Sequence, residues 1–222
     1  GLELSLDIER YSFENVRHEG IEGQTIVLDG IFLPNHAGMP DLPVVSRYVA
    51  IPRGAEVSVN VRNITTETVE DIDIMPAPEL PLDDDKTPMK YERNELVYNT
   101  DAYFPEQTTL VSEPTKIRDV DVVILSVTPF QYNPVAKELI VTRHIDIELS
   151  FEGGSGDFGG DPRYMSPAWE HIISDMVINA DALPQHDYQR FIKEAVQRDA
   201  EGCEYLIITP DNADFIRLAD SI

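Results

Sequence analysis

The chemistry available to these 222 residues resides in five histidines, one cysteine and forty-one carboxylates. His18, His36, His144, His171 and His186 show no metal-ligand spacing, and a lone Cys203 allows neither an intrachain disulfide nor a cysteine-based zinc cage. His171 falls beside the apolar face of a predicted helix, where a structural role is favoured over a ligand role. Cys203 precedes an apolar run and reads as a small buried residue in preference to a nucleophile. Asp71/Asp73 and Asp119/Asp121 are spaced to share one face of a strand. Acid–base work would also require a desolvated cleft that separates the two pKa values, and nothing in the pattern supplies one. The run Asp83, Asp84 and Asp85 is a weak calcium candidate, because Ca²⁺ takes oxygen ligands from loops. Asn63-Ile64-Thr65 matches a glycosylation sequon. A phosphate loop, a dinucleotide fingerprint, a His-Glu-x-x-His helix and a Gly-x-Ser-x-Gly elbow are all missing, so the expectation is a non-enzyme with no catalytic residues and no cofactor other than that calcium candidate.

The formal charge of −24 divides into −16 over residues 1–155 and −8 over residues 156–222, so it coats the whole chain and is not a detachable tail. Such a surface repels phosphate backbones and anionic lipid, which argues against nucleic acid or a membrane surface as partner. No apolar run approaches the ~18 residues of a membrane span, so membrane insertion is not expected. The N-terminus lacks the basic and apolar regions of a leader, so an exported protein would already have lost its signal. A 42% hydrophobic share is enough for a packed core.

The elements that must position these groups are mostly strands. Leu4, Leu6 and Ile8 alternate with polar neighbours, as do Val57, Val59 and Val61, then Ile145, Ile147 and Leu149. Alternation of this kind predicts half-buried antiparallel strands. Further strands are expected at Thr25–Phe32, Val44–Ile51, Thr66–Ile74, Thr108–Ser112, Arg118–Val127 and Glu138–Arg143, with turns at Pro52-Arg53-Gly54, Pro76-Ala77-Pro78 and Tyr132-Asn133-Pro134. The fold class is therefore mainly β, an antiparallel β-sandwich over residues 1–152. Its long interruption is Met75–Gln107, with Glu95–Tyr98 as a short strand inside it and Leu80–Arg93 as an exposed excursion.

Residues 153–163 have the glycine-rich composition of a flexible linker and mark the expected domain boundary. A helical connector follows over 164–203. Ser166 and Pro167 open its first helix, which runs to about Asn179 with Trp169, Ile172, Ile173 and Met176 on one face. A second helix covers Asp187–Arg198, with Tyr188, Phe191, Ile192 and Ala195 as its apolar stripe. Glu204–Thr209 is a near-continuous apolar strand of the type buried on both faces of a parallel sheet, and a last helix covers Ala213–Ile222. One βα unit cannot bury both of its faces, so residues 204–222 read as the start of a larger α/β domain.

Three stretches taken in order resemble the N-terminal propeptide of the gingipain-like cysteine peptidases, family C25. They are Gly38-Met39-Pro40-Asp41-Leu42-Pro43-Val44-Val45-Ser46 with Val49–Val57, Tyr103-Phe104-Pro105 with Arg118-Asp119-Val120, and Pro129-Phe130-Gln131-Tyr132-Asn133-Pro134-Val135 with Glu138-Leu139. The resemblance implies that residues 204–222 are the first strand and helix of a caspase-like catalytic domain, with the catalytic His and Cys lying beyond the chain. It also implies a secreted or cell-surface protein whose pro-domain keeps its own downstream peptidase domain latent and assists its folding.

Under that resemblance the excursion Leu80–Arg93 is the natural inhibitory loop, and Lys86, Lys90 and Arg93 are its basic side chains for a specificity pocket that takes Arg or Lys. Three aspartates before Lys86 would oppose an acidic pocket. Activation requires a cut between pro-domain and peptidase, with Arg198 favoured over Arg190 on exposure. Two other classes remain open: a free-standing β-sandwich adhesion or carbohydrate-binding module with acidic loops as calcium sites, and a small hydrolase resting on Cys203 and the histidines.

Overall fold

The computed structural model describes residues 1–18, 20–28, 36–81, 88–161 and 164–188. Ten strands dominate it: β1 Leu2–Asp7, β2 Ser12–His18, β3 Ile21–Val27, β4 Val45–Ala50, β5 Ala55–Val69, β6 Thr109–Val111, β7 Thr115–Ile117, β8 Val120–Val127, β9 Phe130–Asn133 and β10 Glu138–Gly153. Two short helices accompany them, α1 Glu95–Tyr98 and α2 Pro167–Met176. All the strand pairings are antiparallel. In sheet I, β10 is flanked on one side by β5 and on the other by β9 and then β1. In sheet II, β8 is flanked by β4 and by β6 and β7, while β2 and β3 form a separate hairpin.

Period-two alternation makes this a sandwich. Val49, Ile51, Val123, Leu125 and Val127 from sheet II meet Ile145, Ile147 and Leu149 from sheet I, with Leu2, Leu4, Leu6, Val57, Val59 and Val61 around them. Outside that core, sheet I is polar at its β1 end, where Ser5 and Asn63 donate to Asp146, Arg62 pairs with Glu148, and His144 lies between Asp7 and Asp146. It is apolar at its β9 end, where Phe130, Tyr132, Leu139 and Val141 form a second core with Leu42, Ile72 and Ile74. The opposite face of sheet II is apolar, with Ala50, Val120 and Val122 covered by Ile173 and Val177. That second cover explains why Val120–Val127 reads as a nearly unbroken apolar run inside an antiparallel sheet.

Several expected elements take a different form. The segments expected at 57–61 and 66–74 are one strand, β5, ending at Val69, and those at 138–143 and 145–149 are one strand, β10. The apparent gaps are β-bulges: the register shifts between Thr142 and His144 and again between Ile145 and Asp146, and Asn63 opposite adopts φ 39°. The segment expected at Arg118–Val127 begins in the turn between β7 and β8, with Arg118 at φ 57°, and is strand only from Val120 as β8. Asp71 and Asp73 lie in the irregular stretch after β5, and Asp119 lies in the turn between β7 and β8, so neither pair shares a strand face. Glu95–Tyr98 is a helical turn and not a strand, because the Asn94 side chain accepts from the amides of Leu96 and Val97. Strands β2, β7 and β9 have no counterpart among the expected strands.

Helix α2 starts as expected, with Ser166 Oγ accepting from Trp169 N and Pro167 in the first turn, but it ends at Met176. Only Ile173 of the expected apolar face is fully buried; Ile172 is exposed and Trp169 lies under the Arg118 guanidinium, 4.2 Å from its ring centroid. The helix stops because the next residues are needed as extended chain along β4. Ile178 N donates to Tyr48 O, while Asn179 accepts from Ala50 N and donates to Ala50 O, each at 2.9 Å. The edge of sheet II is closed by these contacts.

The glycine-rich segment is docked, contrary to the linker expectation. Arg53 N donates to Asp157 O, Ser155 N to Arg53 O, and Asp161 N to the Asp119 carboxylate, which also takes Arg53 Nη2 at 2.8 Å. Gly159, at φ 75°, passes so close to Asp119 that a Cβ would stand 1.9 Å from its carbonyl oxygen. The compact unit runs from Gly1 to Pro184, so the boundary falls after α2 and not at residue 153. A second unit begins at Gln185, and of it only residues 185–188 are described, with the His186 and Tyr188 rings 5.9 Å apart. The second expected helix and the βα unit at 204–222 lie outside the described residues but for Asp187 and Tyr188.

Candidate functional site

The long interruption between β5 and β6 is irregular but closely tied down. Its entering leg lies against β3: Gln24 N donates to Asp73 O, Met75 N to Gln24 O, and Asp73 N to Gln24 Oε1. Gly23 permits this approach, since a Cβ there would stand 2.7 Å from Asp73 O and 3.0 Å from the Met75 sulfur. The leg next pairs with 38–41, where Gly38 N donates to Ala77 O, Ala77 N to Met39 O and Asp41 N to Met75 O. The leaving leg returns along the same line: Glu79 and Lys90 exchange backbone hydrogen bonds, and Asn94 N donates to Gly38 O at 2.9 Å. Gly38, at φ 83°, serves both legs from one residue.

Side chains complete the base. Arg93 Nη2 lies 2.6 Å from Asp73 Oδ1 and 3.5 Å from Glu22 O, and its guanidinium is 4.9 Å from the Tyr98 ring centroid. Its Nε is shut off from solvent with no acceptor among the described residues. Lys137 Nζ approaches the other Asp73 oxygen at 3.6 Å. Tyr98 donates to Ile74 O, and burial pushes its phenol well above the usual range. From the hairpin tip, His18 stacks on Tyr91 with ring centroids 4.4 Å apart and planes at 5°. A 320 Å³ cleft lies beside the legs, lined by Gly38, Glu79, Lys90, Glu92, Arg93 and Asn94.

These contacts sort the three basic candidates of the excursion. Arg93 is engaged at the base, and Lys90 sits on the ladder with its ammonium 2.8 Å from Glu92. Lys86 lies outside the described residues, as do Asp83, Asp84 and Asp85 and the processing candidates Arg190 and Arg198. Leu80 and Met89, one on each leg, are about half exposed. Among the described residues no three His, Cys, Asp or Glu side chains converge on a metal-sized site, and no helix is long and apolar enough to cross a membrane. Sequence reasoning missed the parts that build the base: Gly23, Gly38, Asn94, Tyr98, and the pairing of Asp73 with Arg93. Gly38-Met39-Pro40 was the only visible signal, and it marked a resemblance without indicating a role.

Residues 4–157 match the family model Propeptide_C25. The chain is a member of that family. The matched region is a propeptide domain, the non-catalytic region of gingipain-type zymogens. Lys-gingipain HG66 of Porphyromonas gingivalis is 27% identical over 158 residues, which are 68% of this chain and 9% of the relative. Gingipain R2 of the same species, strain ATCC BAA-308 / W83, is 26% identical over 165 residues, 69% of this chain and 22% of the relative. The chain thus spans a small fraction of these relatives. Among solved structures, the complex of Porphyromonas gingivalis RgpB pro- and mature domains superposes with a TM-score of 0.66 at 23% identity, covering 81% of this chain and 92% of that one. A structure on the zymogenic latency of gingipain K from the same organism gives a TM-score of 0.59 at 24% identity, covering 68% and 85%. At these identities the structures establish the shared fold, a mainly β pro-domain.

Proposed function

We propose that this chain is the pro-domain of a secreted gingipain-like cysteine peptidase, acting in cis as inhibitor and folding aid of the catalytic domain that follows it. The supporting observation is the excursion between β5 and β6, whose two legs are hydrogen-bonded to the β-domain up to the Glu79–Lys90 pair, which leaves residues 80–89 as the stretch of chain between two anchored ends. A stretch of chain anchored at both ends loses less conformational entropy on binding than a free peptide of equal length. Tethering adds an effective concentration of order mM, so modest contacts suffice to keep a cleft filled. With Arg93 and Lys90 paired at the base, Lys86 is the side chain assigned to the specificity pocket. The partner is this precursor's own peptidase domain, a pairing that the complex of RgpB pro- and mature domains supports by its similarity in fold.

Processing at Arg198 or Arg190 would leave the compact unit ending at Pro184 intact, with α2 still covering sheet II. N-terminal sequencing of the mature enzyme tests this, and a start directly after the glycine-rich residues 153–163 would contradict both sites. The inhibitory role is tested in the full precursor by replacing residues 82–87 with a glycine-serine stretch of equal length. Peptidase activity before processing is the expected result, and an unchanged latent precursor would refute the role of the loop.

A further inference from the structure

We infer that the β2–β3 hairpin is a clamp that sets the angle at which the two legs of the excursion leave the β-domain, and that Arg93, Asp73, His18 and Tyr91 are positioning residues for inhibition and not contact residues. This rests on the proposed inhibitory function. The backbone ladder of the base ends at Glu79 and Lys90, and two backbone hydrogen bonds fix a separation between legs without fixing a direction. Direction comes from outside the loop. The hairpin meets the leaving leg at two points, the His18–Tyr91 stack and the contact of Arg93 with Glu22 O, on either side of the hairpin turn. Asp73, itself bonded through its amide to Gln24 of β3, holds the Arg93 guanidinium from the entering leg. The two legs and the hairpin are therefore joined at one half-buried ion pair, flanked by Lys137 on the far carboxylate oxygen and by the Tyr98 ring.

The clamp accounts for features that inhibition by the tip alone leaves unexplained. A hairpin attached to the rest of the fold through Tyr11, Phe13, Ile26 and Leu28 at one end places a flat, exposed imidazole against a tyrosine at the other. A basic residue at the foot of the excursion is committed to a carboxylate inside its own domain, which removes it from competition with Lys86 for an acidic pocket. Charge-assisted contacts of this kind are directional, so they fix orientation better than apolar packing of equal area.

The test uses the 222-residue chain with Arg93→Gln, Arg93→Lys and His18→Ala, and two readouts. Amide hydrogen exchange at Glu79 and Lys90 in the free chain is expected to rise roughly tenfold in Arg93→Gln and less in His18→Ala, with β8 and β10 unchanged, as loss of one charge-assisted bond implies. The inhibition constant against the mature peptidase is expected to rise in the same order, with partial recovery in Arg93→Lys. Unchanged exchange in both Arg93→Gln and His18→Ala overturns the clamp, and raised exchange with an unchanged inhibition constant overturns its positioning role. Should Arg93→Gln fail to fold, the exposed His18→Ala decides alone by the same two readouts. Replacement of residues 82–87 separates the two levels: an unchanged inhibition constant there refutes the inhibitory loop, whereas the exchange result stands independently of it.

Discussion

In sheet II, β8 has apolar cover on both faces, from sheet I on one side and from α2 on the other, and the outer edge of its neighbour β4 is met by Asn179. At the base of the excursion the materials are backbone hydrogen bonds, one ion pair and a ring stack, with Leu80 and Met89 left half exposed. The same chain thus builds a body whose stability scales with buried area and an arm whose order depends on directional polar contacts. Body mutations should unfold the protein and barely retune the arm, and perturbations of charge should do the reverse.

The largest effect is expected from Leu149→Ala, which opens a cavity at the centre of the sandwich and should cost about 2–5 kcal/mol in denaturant unfolding. Next comes Asn179→Ala, which strips the amide and carbonyl of Ala50 of their partner and should cost roughly 2–3 kcal/mol, because buried backbone groups left unpaired keep their desolvation penalty. A loss near zero in either would mean that sheet II is not held as described. Salt sharpens the contrast: raising NaCl to about 1 M shortens the screening length to about 3 Å and should increase exchange at Glu79 and Lys90 by a few-fold while β8 amides stay protected. Equal changes in both regions would erase the distinction.

The smallest effect concerns pH. The hydrogen bond to Asp7, with Asp146 on the other side, raises the His144 pKa above its ordinary value. A raised folded-state value means that the stabilisation is fully present below about pH 6.5 and is lost as pH rises through the raised value. Asp119 behaves oppositely: the amide of Asp161 and the Arg53 guanidinium lower its pKa, so its contribution is present above the ordinary carboxylate range and lost as pH falls through the folded value. NMR titration of the His144 ring should give a midpoint above that of an unstructured histidine, and a lower midpoint would contradict the pairing across β1 and β10.

How far the fold was legible follows from the same division. Alternation at Leu4/Leu6, Val57/Val59/Val61 and Ile145/Ile147/Leu149 announced the sandwich, because area burial imprints a period on sequence. Bulges at Asn63 and Arg143 broke that period and split two long strands into four short ones. The glycine-rich stretch has a linker's composition, yet its glycines serve close approach, at Gly159 against Asp119, and composition cannot distinguish freedom from contact. Val120–Val127 carries the same lesson for Glu204–Thr209: an apolar run reports cover on both faces and does not specify a parallel sheet. The base of the excursion was illegible because Arg93 and Asp73 are twenty residues apart with no period connecting them. The length of the interruption at Met75–Gln107 marked the loop itself, and the resemblance at Gly38–Val57 and its companion stretches implied a role for it.

The most direct measurement is the inhibition constant of the isolated chain against the mature peptidase of its own precursor, with and without residues 82–87. Tight inhibition by the intact chain, weakened at least about tenfold when the tip is replaced, is the predicted result, as expected when a charge-assisted contact in the pocket is lost. Full peptidase activity at every concentration of the intact, folded chain would contradict it.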